Sequence, residues 1–143
     1  MSLYSLLCLS TVGIALMVCP PAATAAGLTK AQTDYMLQCQ GCHQANGTGM
    51  APQTPNFHEY GNDFMHMPEG RQYWISVPGA ANSPLTDGEL ANVLNYIATD
   101  IVKVKNHTLF TADEVQAHRG KKMTNVYAVR RQLAAKLATH PSP

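Results

Sequence analysis

The strongest chemical motif of the chain is Cys39-Gln40-Gly41-Cys42-His43. Two residues separate its cysteines, and a histidine follows directly. This spacing is that of covalent c-type haem attachment, in which both thiols add across the vinyl groups of the porphyrin. The neighbouring imidazole then lies close enough to ligate the iron from one side. The motif therefore predicts one covalent haem c, bound through Cys39 and Cys42, with His43 as the proximal iron ligand.

A C-x-x-C pair also occurs in redox-active dithiols and as half of a structural zinc site. A thioredoxin-like dithiol lies next to a βαβ pattern, and no strand-like alternation of that kind is visible in the chain. A zinc site usually adds a second Cys/His pair, whereas the other two cysteines, Cys8 and Cys19, lie in an apolar N-terminal stretch. Haem attachment is therefore favoured over both alternatives.

The N-terminus has the pattern of an export signal. An apolar run from Leu3 to Val18 precedes two prolines and a stretch of small residues that ends at Ala26, as in the h-region and cleavage site of a secretory signal. The first residues contain no Lys or Arg, which departs from that pattern. We expect residues 1–26 to be a signal peptide that directs the protein to the periplasm, with an uncleaved membrane anchor as the alternative.

The charge distribution divides the rest of the chain in two. About 117 residues follow the signal, enough for one small domain whose core a haem would enlarge. Residues 27–105 contain four basic and seven acidic residues, whereas residues 106–143 contain six basic and two acidic ones. We therefore expect a haem domain over 27–105 and a basic helical extension over 106–143.

Helical patterns predict an all-α fold. A first helix is expected from Thr29 to about Gln40, and the Gly- and Pro-rich stretch 47–55 is expected to be a loop. A short helix is expected from Pro68 to Val77, because proline suits the first helical position. A capping box at Thr86–Glu89 opens a third helix, and another capping box opens a last helix that runs with breaks from Thr111 to about Ala138.

Over roughly residues 28–100 the chain resembles a class I c-type cytochrome, on three features: Tyr35 before the C-x-x-C-H motif, the Gly-rich loop after it, and the helical segment 85–97. The resemblance implies a cytochrome c-like helical domain around one covalent haem, with two helices that cross beside it. The residues implied at that crossing are Tyr35, Leu94 and Tyr96 or Ile97. The resemblance also implies a loop carbonyl, from Pro52 or Pro55, that hydrogen-bonds the proximal imidazole.

The distal ligand is where the chain departs from this family, which normally places a Met in the loop before its last helix. Here that loop, residues 77–85, contains neither Met nor His. The nearest candidates lie upstream, with Met67 as the first choice, followed by Met65 and then His66. Less favoured possibilities are Met50, His58 and a distal position without a protein ligand, faced by water or Asn82.

The short helix from Pro68 contributes one further candidate. Arg71 could pair with a haem propionate, because the guanidinium fork suits carboxylates. The alternative interpretation is a solvated arginine in the first turn of that helix. Tyr73 and Trp74, on the same helix, are expected either to line a haem pocket or to fill the core.

Taken together, these features predict a periplasmic electron-transfer protein that carries single electrons between redox proteins. The expected partners are a donor dehydrogenase and an acceptor cytochrome or oxidase. The protein itself is not expected to be an enzyme. Two alternatives stay open: a haem protein with an open distal site for small-ligand binding, sensing or weak peroxidase activity, and a haem subunit anchored in a larger redox complex by its tail. The basic tail suits an acidic redox partner or the domain's own acidic surface, or it folds over the domain. Nucleic acid is not an expected partner, and membrane contact is expected only if the N-terminal segment is uncleaved.

Overall fold

Helices make up the regular secondary structure of the computed structural model, which describes residues 27–121 and 123–139. This architecture confirms the predicted all-α fold class, and the predicted signal peptide, residues 1–26, lies outside the described residues. Within the described ranges, no helix has the length and apolar character that crossing a bilayer requires. The helices are α1 (Lys30–Gln38), α2 (Gln40–His43), α3 (Phe57–Met65), α4 (Pro68–Ser76), α5 (Pro78–Ala81), α6 (Asp87–Tyr96), a π-helical turn (Ile97–Val102), α7 (Ala112–Arg119) and α8 (Val126–Thr139).

Helix starts follow the predicted capping residues. The side chains of Thr29 and Thr86 each accept a hydrogen bond from the backbone N–H three residues on, and a full capping box forms at both positions. Thr111 accepts from the N–H of Glu114 in the same way. The Glu114 carboxylate, however, pairs with Arg71 of α4, so this predicted capping box forms only by half.

Helix α3 was not among the predicted helices, although its sequence carries a signal for it. Asn56 caps the helix by accepting from the N–H of His58 at 2.9 Å. Phe57, Tyr60 and Phe64 then follow at spacings of three and four, which is helical periodicity. The end of α3 packs closely against α4, since a Cβ atom at Gly70 would collide with the backbone of Phe64.

The crossing of α1 and α6 matches the arrangement that the resemblance implied. The buried ring of Tyr35 meets the ring of Tyr96 edge-on, with centroids 5.6 Å apart, and Leu94 and Ile97 are buried in the same core. The Tyr35 hydroxyl donates to the carbonyl of Gln44 at 2.6 Å, and burial raises the pKa of this phenol to about 12. Tyr35 therefore connects the helix crossing to the segment just after the C-x-x-C-H motif.

Helices α7 and α8 pack over the domain that precedes them. Helix α7 contacts α4 and α6, whereas α8 contacts α3 and α4. Val115 of α7 and Leu133 of α8 are both buried in the common core. The basic extension therefore covers the domain with an apolar face.

Arg71 links α4 to α7 and to the segment before α7. These contacts contradict both sequence-based interpretations of Arg71. Its guanidinium donates to both carboxylate oxygens of Glu114, at 2.7 and 2.6 Å, and lies 4.0 Å from the ring centre of Phe110. It also donates to the backbone carbonyl of Thr108 at 2.7 Å. Arg71 is thus neither solvated nor available to a propionate, because its donors are already engaged.

Candidate haem site

A single turn of chain brings the three motif residues together. Helix α1 ends at Gln38, and the Cys39 N–H still donates to the carbonyl of Tyr35 at 2.9 Å. The chain then turns into α2, where the His43 N–H donates to the carbonyl of Cys39 at 3.0 Å. Side chains three and four positions apart lie on one helical face. Cys39, Cys42 and His43 accordingly line one and the same cavity.

The cavity has a volume of about 470 Å³ and a largely aromatic and aliphatic wall. Among the described residues that line it there is no Asp or Glu, and Arg130 is the one Lys or Arg. The wall is built by α3 (Phe57, Tyr60, Gly61, Phe64), α4 (Tyr73, Trp74), the segment from Val77 to Leu85, α6 (Leu90, Val93, Leu94), Ile97 of the π-helical turn, and α8 (Val126, Tyr127, Arg130). An apolar space beside a C-x-x-C-H motif, with one cation on its wall, suits a haem, an apolar macrocycle that bears two carboxylates.

His43 has the protonation state and the support that an iron ligand needs. Burial lowers the pKa of this imidazole to about 4, with the nearby carbonyl of Pro55 acting in the opposite direction. The ring is therefore neutral at pH 7, as metal ligation requires. It stacks on Phe57 with ring centroids 4.0 Å apart and planes 9° apart. Phe57 in turn stacks on Trp74 at 5.2 Å, so an aromatic column supports the imidazole.

The loop after the motif brings the Pro55 carbonyl to the proximal imidazole. Of the two candidates from the resemblance, Pro55 lines the cavity, whereas Pro52 is exposed. The Nδ1 atom of His43 is buried and makes no hydrogen bond of standard geometry. The Pro55 carbonyl acts on that ring all the same, since it raises the pKa. Of the two candidates, Pro55 is therefore the one that lies beside the imidazole of His43.

A glycine allows this loop to close. Gly49 has a φ of +69°, which residues with a Cβ atom rarely adopt, and its N–H donates to the carbonyl of His43 at 3.2 Å. A Cβ atom here would collide with the carbonyl oxygens of Thr54 and Pro55. Glycine at position 49 is therefore required for the approach of the loop to the proximal segment.

The cysteines differ from those of redox-active dithiols. Burial raises the pKa of the Cys39 thiol to about 11, whereas redox-active cysteines have a lowered pKa and react as thiolates. Cys42 is exposed, and the two cysteines are not joined in a disulfide. A zinc site would need further ligands, and no cluster of three or more His, Cys, Asp or Glu in the described ranges is arranged to hold a metal ion.

The structure brings none of the sequence-predicted distal ligands to the cavity. Met67 precedes α4 and packs, partly buried, against the core; Met65 is 1% exposed within that core, and His66 is exposed. None of the three lines the cavity wall. The less favoured candidates also lie elsewhere, since Met50 and Asn82 are exposed and the imidazole of His58 contacts the carbonyl of Asn46 at 2.7 Å. Met67 as the distal ligand stays a prediction.

Residues 77–85 correspond to the loop in which the resemblance would place a distal Met. An arginine that the sequence analysis did not single out holds this segment. Arg119, at the end of α7, donates to the backbone carbonyls of Ala81, Ser83 and Leu85 at 3.0, 2.5 and 2.6 Å. It also pairs with the Asp87 carboxylate at 3.0 Å. Val77, Pro78, Gly79, Ala80, Ser83 and Leu85 of this segment line the cavity. The extension thus fixes one wall of the haem site.

Helix α8 supplies a second missed set of residues. Val126, Tyr127 and Arg130 line the cavity, although they lie more than 80 residues after the C-x-x-C-H motif. Their spacing of one, three and four positions is helical, which could have indicated a shared face. No sequence signal indicated what that face would cover.

No family model matches the chain. A cytochrome c-552 from Thermus thermophilus is 37% identical over 136 residues, covering 77% of this chain and 92% of that relative. A second cytochrome c-552, also from Thermus thermophilus, is 37% identical over 122 residues, covering 69% of this chain and 93% of that relative. With the C-x-x-C-H motif on an apolar cavity of an all-α fold, these similarities show that the chain belongs to the class I c-type cytochromes, whose cofactor is covalent haem c.

Proposed function

We propose that this cytochrome carries single electrons between redox proteins in the periplasm, and that its haem is bonded to Cys39 and Cys42 and ligated by His43. The observation that carries the proposal is the convergence of these three side chains on one apolar cavity. A haem bound there supplies a one-electron iron couple whose potential depends on ligand type, burial and hydrogen bonding. We propose no catalytic activity for the chain itself.

The residues of the site perform three tasks in this proposal. His43 offers a neutral imidazole that Phe57 supports by stacking, and the Pro55 carbonyl orients it. The aromatic and aliphatic wall would give the haem a largely apolar environment, which would lower the solvent reorganisation that accompanies each change of iron charge. The C-x-x-C cysteines, at the end of α1, would hold the macrocycle covalently.

Export and partners extend this proposal. The periplasmic location is supported by the signal-like pattern of residues 1–26. The partners we propose are a donor dehydrogenase and an acceptor cytochrome or oxidase. The division into a haem domain (27–105) and an extension (106–143) is retained, with the extension acting mainly as a cover. Three of its cations face the domain, since Arg119 and Arg130 reach the cavity region and Lys136 pairs with Glu69 at 2.8 Å.

Voltammetry of the purified haem-loaded protein tests the carrier function. We expect a reversible one-electron wave whose peak positions change little with scan rate, because a covalently held haem against a largely apolar wall should reorganise little. Electron exchange with a small cytochrome of known potential should reach the equilibrium that the two potentials predict. An irreversible wave, or failure to exchange electrons, would contradict the proposal.

A second candidate function, small-ligand binding at an open distal position, is favoured by the composition of the cavity wall. Among the described lining residues, His43 is the one Met or His side chain. A sixth position without a Met or His ligand would let carbon monoxide bind the reduced iron. Such a site is compatible with electron transfer, but it adds ligand binding or sensing.

Carbon monoxide therefore distinguishes the two distal arrangements. If the distal position is open, the reduced wild-type protein will bind carbon monoxide rapidly, and Met67→Ala and Met65→Ala will leave the oxidised and reduced spectra unchanged. His66→Ala serves as a further control, since this side chain is exposed. A wild-type protein that is indifferent to carbon monoxide, with a Met-to-iron charge-transfer band that disappears in Met67→Ala, would instead support the sequence-based ligand and exclude the open site.

A further inference from the structure

Arg130 is the cation of the cavity wall, and part of its guanidinium is buried without a partner. The Nη1 atom is inaccessible to solvent and makes no hydrogen bond to the described residues. The side chain lies on α8 and lines the cavity together with Tyr127, whose ring centre is 5.4 Å from the guanidinium carbon. A buried charge-bearing donor without an acceptor is costly, so this position calls for an anion.

Two phenols of the cavity wall also interact with Arg130. Burial raises the pKa of Tyr73, and Arg130 acts against this rise. Glu59 raises the pKa of Tyr60, and Arg130 opposes that shift as well. Arg130 thus lies close to one tyrosine of α3 and one of α4. Three tyrosines and one guanidinium contribute polar groups to a largely apolar wall, and no described carboxylate of the chain lines it.

From this arrangement we propose that Arg130 binds a propionate of the haem, so that the C-terminal helix α8 is part of the haem site. The proposal rests on the placement of the haem in this cavity. The chemistry matches, because a guanidinium fork binds a carboxylate through two parallel hydrogen bonds. Arg71, the arginine that the sequence suggested for this role, is engaged by Glu114 and Phe110.

The contact gives the extension a role in haem binding. Leu133, three residues beyond Arg130 on α8, is 4% exposed and anchors the helix in the core. The pair between Arg130 and a propionate would join the same helix to the cofactor. Helix α8 would then close the cavity over the carboxylate edge of the haem and hold a positive charge near the iron.

Paired substitutions in haem-loaded, full-length protein test the proposal. Arg131, the neighbouring arginine, is exposed and does not line the cavity, so Arg131→Gln is a matched control for Arg130→Gln. Loss of a positive charge beside the haem favours the oxidised iron. We expect Arg130→Gln to shift the equilibrium for reduction about tenfold toward the oxidised form, which is about 59 mV for a one-electron couple. We expect Arg131→Gln to shift it less than about twofold, because exposed charges are screened.

Resonance Raman spectra of the propionate bending modes add a readout that a purely structural role would not move. We expect these bands to shift in Arg130→Gln and to return toward wild type in Arg130→Lys, which keeps the charge. Equal potentials and unchanged bands in Arg130→Gln and Arg131→Gln would overturn this inference alone. A wild-type protein without covalent haem would overturn the proposed function, and with it the inference.

Discussion

Replacing His43 with alanine is expected to lower the yield of folded, haem-loaded protein at least about tenfold, because a metal–ligand bond couples the cofactor to folding. The substitution also removes the ring on which Phe57 stacks and leaves a space beside the Pro55 carbonyl. Absorbance of the haem band per mole of chain, together with far-ultraviolet circular dichroism, measures the effect. Added imidazole should restore part of the wild-type spectrum, because it can occupy the vacated ligand position.

His58→Ala is the matched control for this prediction. His58 lies 15 residues after His43, is exposed, and contacts only the Asn46 carbonyl among the hydrogen-bond partners seen for its ring. Its substitution should leave haem loading and the spectrum unchanged. A His43→Ala protein with wild-type yield and spectrum would show that another residue ligates the iron.

Replacing Arg119 with alanine is expected to lower the free energy of unfolding by about 3 kcal/mol, since several charge-assisted hydrogen bonds to partly buried carbonyls are lost together. The Arg119 side chain is 17% exposed, so water replaces its donors poorly. Urea unfolding of the haem-loaded protein measures the loss. Arg119→Lys should retain only a small part of the stability, because an ammonium cannot reproduce the fork that reaches three carbonyls.

The same substitution should act on the cavity. Arg119 holds the segment from Ala81 to Leu85, part of which lines the site. We therefore expect Arg119→Ala to alter carbon monoxide association more than Lys121→Ala does, because Lys121 is exposed. If both variants unfolded at the same urea concentration as the wild type, the hydrogen bonds of Arg119 would be stabilising neither the fold nor the segment.

Local sequence signals indicate the proximal half of the site, where the haem bonds of Cys39 and Cys42 and the iron ligation by His43 stay predictions. The C-x-x-C-H spacing, the glycines of the following loop and the capping threonines all act within a few residues of the atoms they position. For that reason the helix capped by Thr86 could be predicted, whereas the short helical turn that carries the motif was not among the predicted helices. Helix α3 could have been predicted too, from Asn56 and the spacing of Phe57, Tyr60 and Phe64.

The distal half depends on contacts between residues far apart in the chain. Arg119 binds carbonyls 34 to 38 positions upstream, and Arg130 reaches the cavity from the last helix. Nothing in the local sequence separates these arginines from exposed ones such as Arg131. The role of Arg71 could not be predicted from the local sequence either, because its partner Glu114 lies 43 positions downstream. The basic tail, for which both docking to a partner and folding over the domain were considered, packs over the domain, and Arg119 and Arg130 point toward it whereas Arg131 is exposed.

Intact-protein mass spectrometry tests the central claim most directly, that Cys39 and Cys42 hold one haem in the cavity beside His43. Wild-type protein expressed with residues 1–26 and denatured before measurement should retain the mass of one haem per chain. The Cys39→Ala/Cys42→Ala variant should lose it completely, and each single variant should retain at most one thioether bond. A denatured wild-type chain without haem mass, or a double variant that keeps it, would contradict the account.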